Sequence, residues 1–252
     1  MALPATSAEL AKMIDHSLLH PTMTDEEVRT GIELGAKYKV ATCCVKPYSV
    51  ALAARMLVGT GVGVCSVMAF PHGNQTTRMK LAEGEECIAN GAAELDMVIN
   101  IGKALGGDWS YVEDEIRAVN EMAVRGGAKL KVIFENDYLK DEQIIRLCQI
   151  CSRIKVGWVK TSTGYGFVKQ SSGEFATKGA TLHHVKLMRE NSDAAVGVKA
   201  AGGVRTLADL LRVRPYCSRI GATATRAIVE EAIRVEKGLA PPTELATGQR
   251  IH

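Results

Sequence analysis

Aromatic residues are scarce in this 252-residue chain, and neither sign of charge predominates. Phe, Trp and Tyr make up 5% of the sequence, and 31 basic residues against 28 acidic ones leave a formal charge of +3. The charges are interspersed and form no long block of one sign. Because nucleic-acid binding relies on basic patches and stacking aromatic side chains, we predict no nucleic-acid partner. Any anion that the protein binds is expected to be small.

Long hydrophobic segments are also lacking. The longest apolar stretch, residues 62–70, is about half as long as a membrane-spanning helix, so we interpret it as a buried strand. Residues 1–13 include Glu9 and Lys12 and contain no apolar segment long enough for a signal peptide. We therefore predict a cytoplasmic protein with no membrane partner.

The cysteines do not form an obvious disulfide framework, because there are seven of them in a chain of ordinary domain size. Cys148 and Cys151 have C-x-x-C spacing but belong to a helical apolar pattern, so we predict core packing, with a redox or metal role as the alternative. His183 and His184 are adjacent in a predicted helix and are expected to point in different directions. No set of ligands at metal-binding spacing is found, and we predict no metal and no cofactor.

Eight short apolar segments are predicted as buried strands, and segments with helical periodicity separate most of them. The predicted strands are residues 13–19, 40–45, 62–70, 94–101, 130–134, 157–160, 195–199 and 218–222. The helical patterns between them include residues 24–38, 48–57, 75–90, 111–125, 141–154 and 181–191. Eight β/α units in about 250 residues indicate the α/β class and a single (β/α)₈ TIM barrel over residues 1–252, with a short N-terminal helix. A doubly wound sheet is the main alternative.

Polar residues occur at or just after the predicted ends of the strands. In a TIM barrel these ends meet on the face that carries the chemistry. The residues are Asp15, Lys46, Asp96, Asn100, Glu135, Lys160, Lys199 and Thr223. Residues 164–179, after the sixth strand, form a longer polar connection, which is either a lid over this face or a solvated loop without function.

Lys160 and Lys199 each end a strongly apolar predicted strand, a position that lysine rarely occupies. Burial disfavours an ammonium group, and a second ammonium at about 5 Å adds about 3 kcal/mol of repulsion at an effective dielectric constant of about 20. One of the two is therefore expected to be a neutral amine, which can attack a carbonyl and form a Schiff base. The alternative is a pair of lysines that extend into solvent at the barrel rim.

Two aspartates are candidates for proton transfer. Asp96 lies in the apolar segment 94–99, where a carboxylate needs a cation or hydrogen bonds. The lysines would supply the cations, and with a water molecule Asp96 could carry protons. Asp15, in the first predicted strand, has either a catalytic or a structural role.

Two glycine-rich turns are suited to phosphate binding. The turn after the seventh strand contains Gly202, Gly203 and Arg205, and the turn after the eighth contains Gly221 and Thr223. Each turn precedes a predicted helix, and in TIM barrels the loops after strands seven and eight commonly bind phosphate through backbone N–H groups. We therefore predict a small phosphorylated substrate.

Five segments of the sequence resemble motifs of the deoxyribose-phosphate aldolase family. They are IDHSLL at 14–19, FPHG at 70–73, ELDMVINIG at 94–102, VKTSTG at 159–164 and GVKAAGGVRT at 197–206. The resemblance covers nearly the whole chain in order. It implies a (β/α)₈ class I aldolase that reversibly cleaves 2-deoxy-D-ribose 5-phosphate to acetaldehyde and D-glyceraldehyde 3-phosphate, and it suggests a homo-oligomer.

The resemblance also implies roles for individual residues. Lys160 is similar to the lysine that forms the Schiff base, and Lys199 to the second lysine, whose charge favours the neutral amine. Asp96 resembles the proton-relay carboxylate, and Asp15 an aspartate that supports the relay. The family holds the substrate phosphate at positions matched by Gly164, Gly202, Gly203, Arg205, Gly221 and Thr223.

Four features differ from the family pattern, and one of them is the polar loop after Gly164, which is longer than in many members. Tyr165 stands where some members have a phosphate-contacting lysine, and Ala224 replaces a serine of the usual turn. Residues 247–252 lack the tyrosine with which some relatives aid proton transfer. Two alternatives therefore stay open: the same lysine chemistry on another short aldehyde or non-phosphorylated sugar, and a non-catalytic sugar-phosphate-binding protein.

Overall fold

The computed structural model describes residues 3–169 and 171–239. Residues 240–252, which include the segment without tyrosine, lie outside the described residues. The strands are β1 (Ile14–Leu18), β2 (Thr42–Val45), β3 (Gly63–Met68), β4 (Glu94–Val98), β5 (Lys129–Ile133), β6 (Trp158–Lys160), β7 (Val168–Lys169), β8 (Phe175–Ala176), β9 (Gly197–Ala201) and β10 (Arg219–Ala222).

Eight of these strands close into a parallel barrel in the order β1-β10-β9-β6-β5-β4-β3-β2. The hairpin formed by β7 and β8 is antiparallel and stands outside the barrel. The predicted (β/α)₈ TIM barrel is therefore confirmed, and the doubly wound alternative is wrong, because β1 pairs with both β2 and β10.

Helices alternate with the barrel strands. They are α1 (Ser7–Ala11), α2 (Asp25–Lys37), α3 (Val50–Met56), α4 (Thr77–Ala89), α5 (Ile101–Leu105), α6 (Trp109–Arg125), α7 (Asp141–Ile154), α8 (Leu182–Glu190), α9 (Leu207–Val213) and α10 (Thr225–Glu236). The first of them is the predicted short N-terminal helix. Buried Val, Ile, Leu, Ala and Met side chains from the strands and from one face of each main helix form the core between the barrel and its helical layer. Among the described residues, no helix combines the length and apolar character needed to cross a membrane.

The boundaries of the fourth predicted strand are wrong at its C-terminal end. Although residues 94–101 are largely apolar, β4 ends at Val98. Asn100 instead caps α5, because its side-chain oxygen accepts a hydrogen bond from the backbone N–H of Lys103 at 3.1 Å. A hydrogen bond from the backbone to an Asn side chain favours a helix start over a strand. The alternation of apolar and polar residues in the sequence carries no information about such a bond.

Trp158, the first residue of β6, lies across Gly197, the first residue of β9. A Cβ atom at Gly197 would be 2.2 Å from Cδ1 of the indole ring. The indole N–H donates to the Ser218 hydroxyl at 3.1 Å, and the guanidinium carbon of Arg219 lies 4.8 Å from the ring centroid. Glycine at position 197 is therefore what allows the ring to pack against the barrel.

Replacing Gly197 with alanine is expected to lower the free energy of unfolding by about 1–3 kcal/mol, because the added methyl group must displace the indole ring. Urea unfolding followed by far-ultraviolet circular dichroism would measure the change. Gly102→Ala in α5 is the control, since its Cβ would meet no atom closer than 3.7 Å and alanine favours helix. Equal stability of the two variants would contradict the packing argument.

Candidate active site

Seven charged side chains meet inside the barrel and form what we call the central charge cluster. Its members come from six strands and are Asp15, Glu94, Asp96, Lys131, Lys160, Lys199 and Arg219. The side chains of Asp15, Asp96 and Lys131 are 0% exposed. Buried charges on this scale are tolerated only when they are paired, and each of these groups has an oppositely charged partner.

Lys160 and Lys199 are direct partners across β6 and β9. Their Nζ atoms lie 2.8 Å and 2.7 Å from the same oxygen, Oδ2 of Asp96. Both lysines are almost completely buried, so the alternative of two lysines extended into solvent does not hold. The structure therefore brings together the two lysines and the aspartate that the sequence singled out.

Lys131 is a member of the cluster that the sequence analysis missed. Its Nζ atom lies 2.8 Å from Oδ1 of Asp96 and 2.6 Å from Oε2 of Glu94. A signal existed, because Lys131 interrupts the apolar segment 130–134 just as Asp96 interrupts its own strand. Arg219 and Glu94 were also missed, since they stand at the beginnings of strands, where charged residues are common.

Asp15 is held from several sides. Its Oδ2 atom lies 2.6 Å from Nζ of Lys199, and its Oδ1 atom accepts hydrogen bonds from Arg219 at 2.5 Å and from the Thr42 hydroxyl at 2.7 Å. Asp15 is the second residue of β1, and Asp96 is the third of β4. The expectation that these aspartates end their strands is wrong, since both lie within the barrel.

The cluster fixes the ionisation of its carboxylates. Burial by itself would raise the pKa values of Asp15 and Asp96, but Lys131 and Lys199 outweigh burial and hold both pKa values below the usual range. Burial likewise would lower the pKa values of Lys131 and Lys199, but the carboxylates of Asp15 and Asp96 reverse that effect and raise both pKa values. Lys131 and Lys199 are therefore charged at neutral pH.

The charges of the cluster balance without Lys160. Three carboxylates, on Asp15, Glu94 and Asp96, face three cations, on Lys131, Lys199 and Arg219. Lys160 is the fourth cationic side chain of this buried site, and it shares Asp96 with Lys199. Attack on a carbonyl requires the uncharged form of its amine.

Gly164 and Gly202 lie together beyond β6 and β9. Both have positive φ, as do Gly179 and Gly203. A Cβ at Gly164 would be 3.9 Å from Cα of Gly202, and the N–H of Ala180 donates to the Gly202 carbonyl at 2.9 Å. The two ends of the 164–179 connection therefore rest on the turn after β9.

Three other residues that were predicted to bind phosphate, Gly221, Thr223 and Arg205, lie in different surroundings. Gly221 lies within β10, where a Cβ would be 3.5 Å from Cε of Lys199, so its place is beside the lysine and not in the loop. Thr223 is exposed at the start of α10, whose N-cap, Ala224, offers no side-chain hydrogen bond. Arg205 is exposed before α9, which is already capped by its own residues. The uncapped N–H groups of α10 are thus the more open anion-binding position.

A cavity of about 280 Å³ opens at the C-terminal ends of β1, β2 and β3, and the Phe70 ring separates it from Lys160. Phe70 and Tyr165 are among its lining residues, and their rings meet edge to face with centroids 5.6 Å apart. Nζ of Lys160 lies 5.9 Å from the centroid of Phe70. A second cavity, of about 620 Å³, lies at the N-terminal ends of β5, β6 and β9. Because barrel enzymes react at the C-terminal ends of the strands, the smaller cavity is the candidate substrate site.

Three residues that follow β5 fasten the long connection of residues 164–179. Thr163 immediately precedes the connection, and its backbone N–H donates to both carboxylate oxygens of Glu135, at 3.2 Å each. The Tyr138 hydroxyl accepts from the Phe167 N–H at 2.8 Å, and Asp137 accepts from the N–H of Lys178 at 2.7 Å. The connection is thus held over the C-terminal face, with Tyr165 at the cavity.

Glu135 gives this contact a pH dependence. Burial raises the pKa of Glu135 to about 7, although hydrogen bonds from Thr163 oppose that shift. Its backbone is left-handed, with φ at 59°, a conformation that non-glycine residues rarely adopt. A buried acid with a raised pKa stabilises the folded state most at low pH, and the contribution is lost as pH rises through 7.

We therefore expect Glu135→Gln to flatten the fall in stability between pH 5 and pH 8, by an amount on the order of 3 kcal/mol. Urea unfolding at the two pH values measures it. Glu142→Gln, at an exposed position in α7, is expected to retain the pH dependence of the unmodified protein. A Glu135 variant with an unchanged difference between the two pH values would refute the assignment.

Two further predictions concern cysteine and histidine. Cys148 and Cys151 are fully buried in the core, as predicted, and unpaired. The prediction that His183 and His184 point apart is wrong, because Nε2 of each approaches a different oxygen of Asp141, at 2.7 Å and 3.7 Å. His183 and Asp141 are exposed and His184 is partly buried. Their contacts join α8 to α7 outside the central charge cluster.

Comparison with known proteins agrees with this geometry. Residues 10–231 match the family model described as DeoC/LacD family aldolase. The chain is 48% identical over 241 residues to a deoxyribose-phosphate aldolase of Rhodopirellula baltica, covering 95% of both chains. It is 44% identical to that of Bacillus cytotoxicus, covering 91% of this chain and 97% of the relative.

A solved structure shows the same architecture. The deoxyribose phosphate aldolase of Aeropyrum pernix, described as a tetramer, superposes with a TM-score of 0.80 at 28% identity, covering 93% of this chain and 94% of that one. Together with the match over most of the sequence, the closed barrel and its buried lysine pair show that the chain belongs to the DeoC/LacD family of aldolases.

Proposed function

We propose that this aldolase reversibly cleaves 2-deoxy-D-ribose 5-phosphate into acetaldehyde and D-glyceraldehyde 3-phosphate through a Schiff base on Lys160. One observation carries the proposal: Lys160 and Lys199 are adjacent in the barrel and share one oxygen of Asp96. The curated relatives that are named deoxyribose-phosphate aldolase support the choice of substrate. We also propose that the chain acts as one catalytic domain, since its first and last barrel strands pair with each other.

The reaction begins at the Lys160 amine, which attacks the aldehyde carbon C1 of the open-chain sugar. The resulting carbinolamine loses water and becomes an iminium ion. When the C3 hydroxyl loses its proton, the C2–C3 bond breaks, and its electrons move to the iminium as an enamine. Glyceraldehyde 3-phosphate leaves. Protonation of the enamine at C2 and hydrolysis then release acetaldehyde and regenerate the lysine.

Asp96 is the group best placed to move these protons. Its Oδ2 atom lies 2.8 Å from the reacting nitrogen of Lys160, within the range required of a general acid or base. Because its pKa is held low, Asp96 starts as a carboxylate and would pass protons through a water molecule. Lys199 stays charged and stabilises that carboxylate, while Asp15 holds Lys199 in place.

The substrate phosphate would lie where the loops after β6, β9 and β10 meet. A Cβ at Gly202 would be 2.9 Å from Cα of Gly179, and Gly164 and Gly202 both have positive φ, so both positions suit glycine. We propose that their backbone N–H groups bind the anion. The N-terminus of α10, beside Thr223, adds its unpaired N–H groups and the positive end of its dipole. Gly203 and Arg205 belong to the same turn as Gly202.

Borohydride trapping tests the nucleophile, the reaction class and the substrate in one experiment. The protein is incubated with deoxyribose 5-phosphate or acetaldehyde and reduced, and its peptides are analysed by mass spectrometry. We expect the adduct on the peptide that contains Lys160. No adduct, or an adduct on Lys131 or Lys199 instead, would overturn the proposal.

A second candidate substrate class follows from Tyr165. Tyr165 lines the cavity of about 280 Å³, and an aromatic side chain there suits a less polar substrate than a lysine would. Comparing turnover of deoxyribose with that of its 5-phosphate separates the two possibilities. A higher kcat/KM for the 5-phosphate supports the first proposal, and equal values favour a non-phosphorylated sugar or short aldehyde.

Two properties of the protein as a whole belong to the same proposal. We propose a homo-oligomer, since a structural relative is a tetramer, and sedimentation equilibrium would test it. We propose a cytoplasmic location, because all seven cysteines are unpaired, which is usual in a reducing compartment.

A further inference from the structure

Cys44 in β2 and Cys65 in β3 are direct partners across two parallel strands. Their Sγ atoms lie 3.4 Å apart. Neighbouring strands are about 4.8 Å apart, within the Cα separations that disulfide bonds span, and bonded sulfurs are about 2.0 Å apart. A small rotation of the two side chains is therefore enough to join them.

The pair also touches the central charge cluster. Sγ of Cys65 lies 3.2 Å from Oδ1 of Asp96 and 3.2 Å from Nζ of Lys131. These are the carboxylate proposed for proton transfer and one of the cations that hold it. Neither cysteine has a part in the mechanism above, so the contacts call for a separate account.

The two thiols differ in reactivity. The hydrogen bond between Cys44 and Cys65 is the largest influence on the pKa of Cys44 and lowers it, against the opposing effects of burial and of Asp96. Burial raises the pKa of Cys65 well above its usual value. Because the thiolate is the reactive form, Cys44 is the thiol that reacts first.

Small molecules have a route to the pair although Cys44 and Cys65 are 1% and 0% exposed. Both sulfurs pack in a small cluster with Leu19 and Val67. These two side chains line the cavity of about 280 Å³. A reagent that enters the mouth of the active site thus lies one side chain away from the cysteines, and a bound substrate would block it.

We propose that Cys44 and Cys65 form an oxidisable dithiol, which hydrogen peroxide converts into a disulfide that reversibly inactivates the enzyme. The Cys44 thiolate attacks one peroxide oxygen, the S–O bond forms as the O–O bond breaks, and protonated hydroxide leaves as water. Cys65 then attacks the sulfenic sulfur, and the S–S bond forms as a second water molecule leaves. The peroxide gains the two electrons that the thiols lose.

Inactivation follows from the position of Cys65. Drawing its sulfur toward Cys44 removes it from contact with Asp96 and Lys131. The side chains of the cluster must then shift, and displacements of about 1 Å in an active site can reduce rates about 100-fold.

Peptide mapping of the intact protein tests the bond directly. After treatment with stoichiometric peroxide and blocking of free thiols, we expect one cross-linked peptide pair that contains Cys44 and Cys65, lighter than the reduced pair by about 2 Da. Prior incubation with the substrate should slow its formation. A disulfide elsewhere, or Cys44 oxidised without a cross-link, would overturn the proposal. This measurement does not depend on the proposed aldolase activity, so its failure is distinct from a failure of that function.

Activity measurements test the consequence. We expect peroxide to lower aldolase activity at least about tenfold and dithiothreitol to restore it. Cys44→Ala, which removes the thiol that peroxide attacks first, should show no loss that dithiothreitol reverses, when compared with its own activity before treatment. Cys148→Ala, which removes a buried thiol of α7 outside this cluster, should respond as the unmodified protein does. A reversible loss in Cys44→Ala would contradict the dithiol.

Discussion

Lys160→Arg is expected to reduce cleavage of deoxyribose 5-phosphate by at least about 10⁴-fold, the order of loss that follows removal of a catalytic nucleophile. Arginine preserves the positive charge and much of the length of the side chain, but its guanidinium group is always protonated and cannot form an imine. Steady-state kinetics measures the loss, and borohydride treatment of the variant should yield no adduct on the peptide with residue 160.

The control for this variant is Lys103→Arg. Lys103 forms an ion pair with Asp108 at 2.7 Å, but both side chains are 43% exposed. Exposed pairs contribute little, so the control should retain the stability and kcat of the unmodified protein. Activity of Lys160→Arg within about tenfold of the control would exclude Lys160 as the nucleophile.

Asp96→Asn is expected to lower kcat by about 10³-fold, the range in which a general acid or base contributes. The amide removes the negative charge that Lys131, Lys160 and Lys199 share. Lys131 and Lys199 have raised pKa values and are charged at neutral pH, so the variant should also lose about 3–5 kcal/mol of unfolding free energy, the usual result of leaving a buried charge unpaired.

Two measurements separate catalysis from folding in this variant. Kinetics below the unfolding transition reports kcat, and urea unfolding reports stability. Asp108→Asn, which breaks the exposed pair with Lys103, should change neither by much. A variant at position 96 with normal kcat but reduced stability would restrict Asp96 to a structural role.

Local patterns predicted most of the barrel. The Thr24 and Glu27 side chains form the capping box that starts α2, and α7 spans the residues that its periodicity indicated. Strand ends were less predictable, because Asn100 terminates β4 through a side-chain hydrogen bond. The 164–179 connection could be recognised as unusual, but its attachment to Glu135, Asp137 and Tyr138 could not.

The candidate site was predicted in part. Lys160, Lys199 and Asp96 were found because each is a charged residue in an apolar strand, and such a residue usually belongs to a buried functional site. The same reasoning applied to Lys131, which was overlooked. Arg219 could not have been found in this way, since its bond to Asp15 joins residues 204 positions apart. Gly221 was assigned to the phosphate turn, whereas the structure places it against Lys199.

The sequence by itself determined the alternation of strands and helices, the number of barrel strands and the two lysines in apolar strands. Lys160 ends β6 as predicted, but Lys199 is the third residue of β9 and does not end it. The scarcity of aromatic residues and the interspersed charges led to the prediction of small-molecule partners. Only the tertiary structure decided which charges meet, because closing the barrel brings the first strand beside the last. That closure turned scattered charged residues into one cluster, in which Lys160 shares Asp96 with Lys131 and Lys199. It also placed Cys44 against Cys65, a pairing that no spacing along the chain indicates.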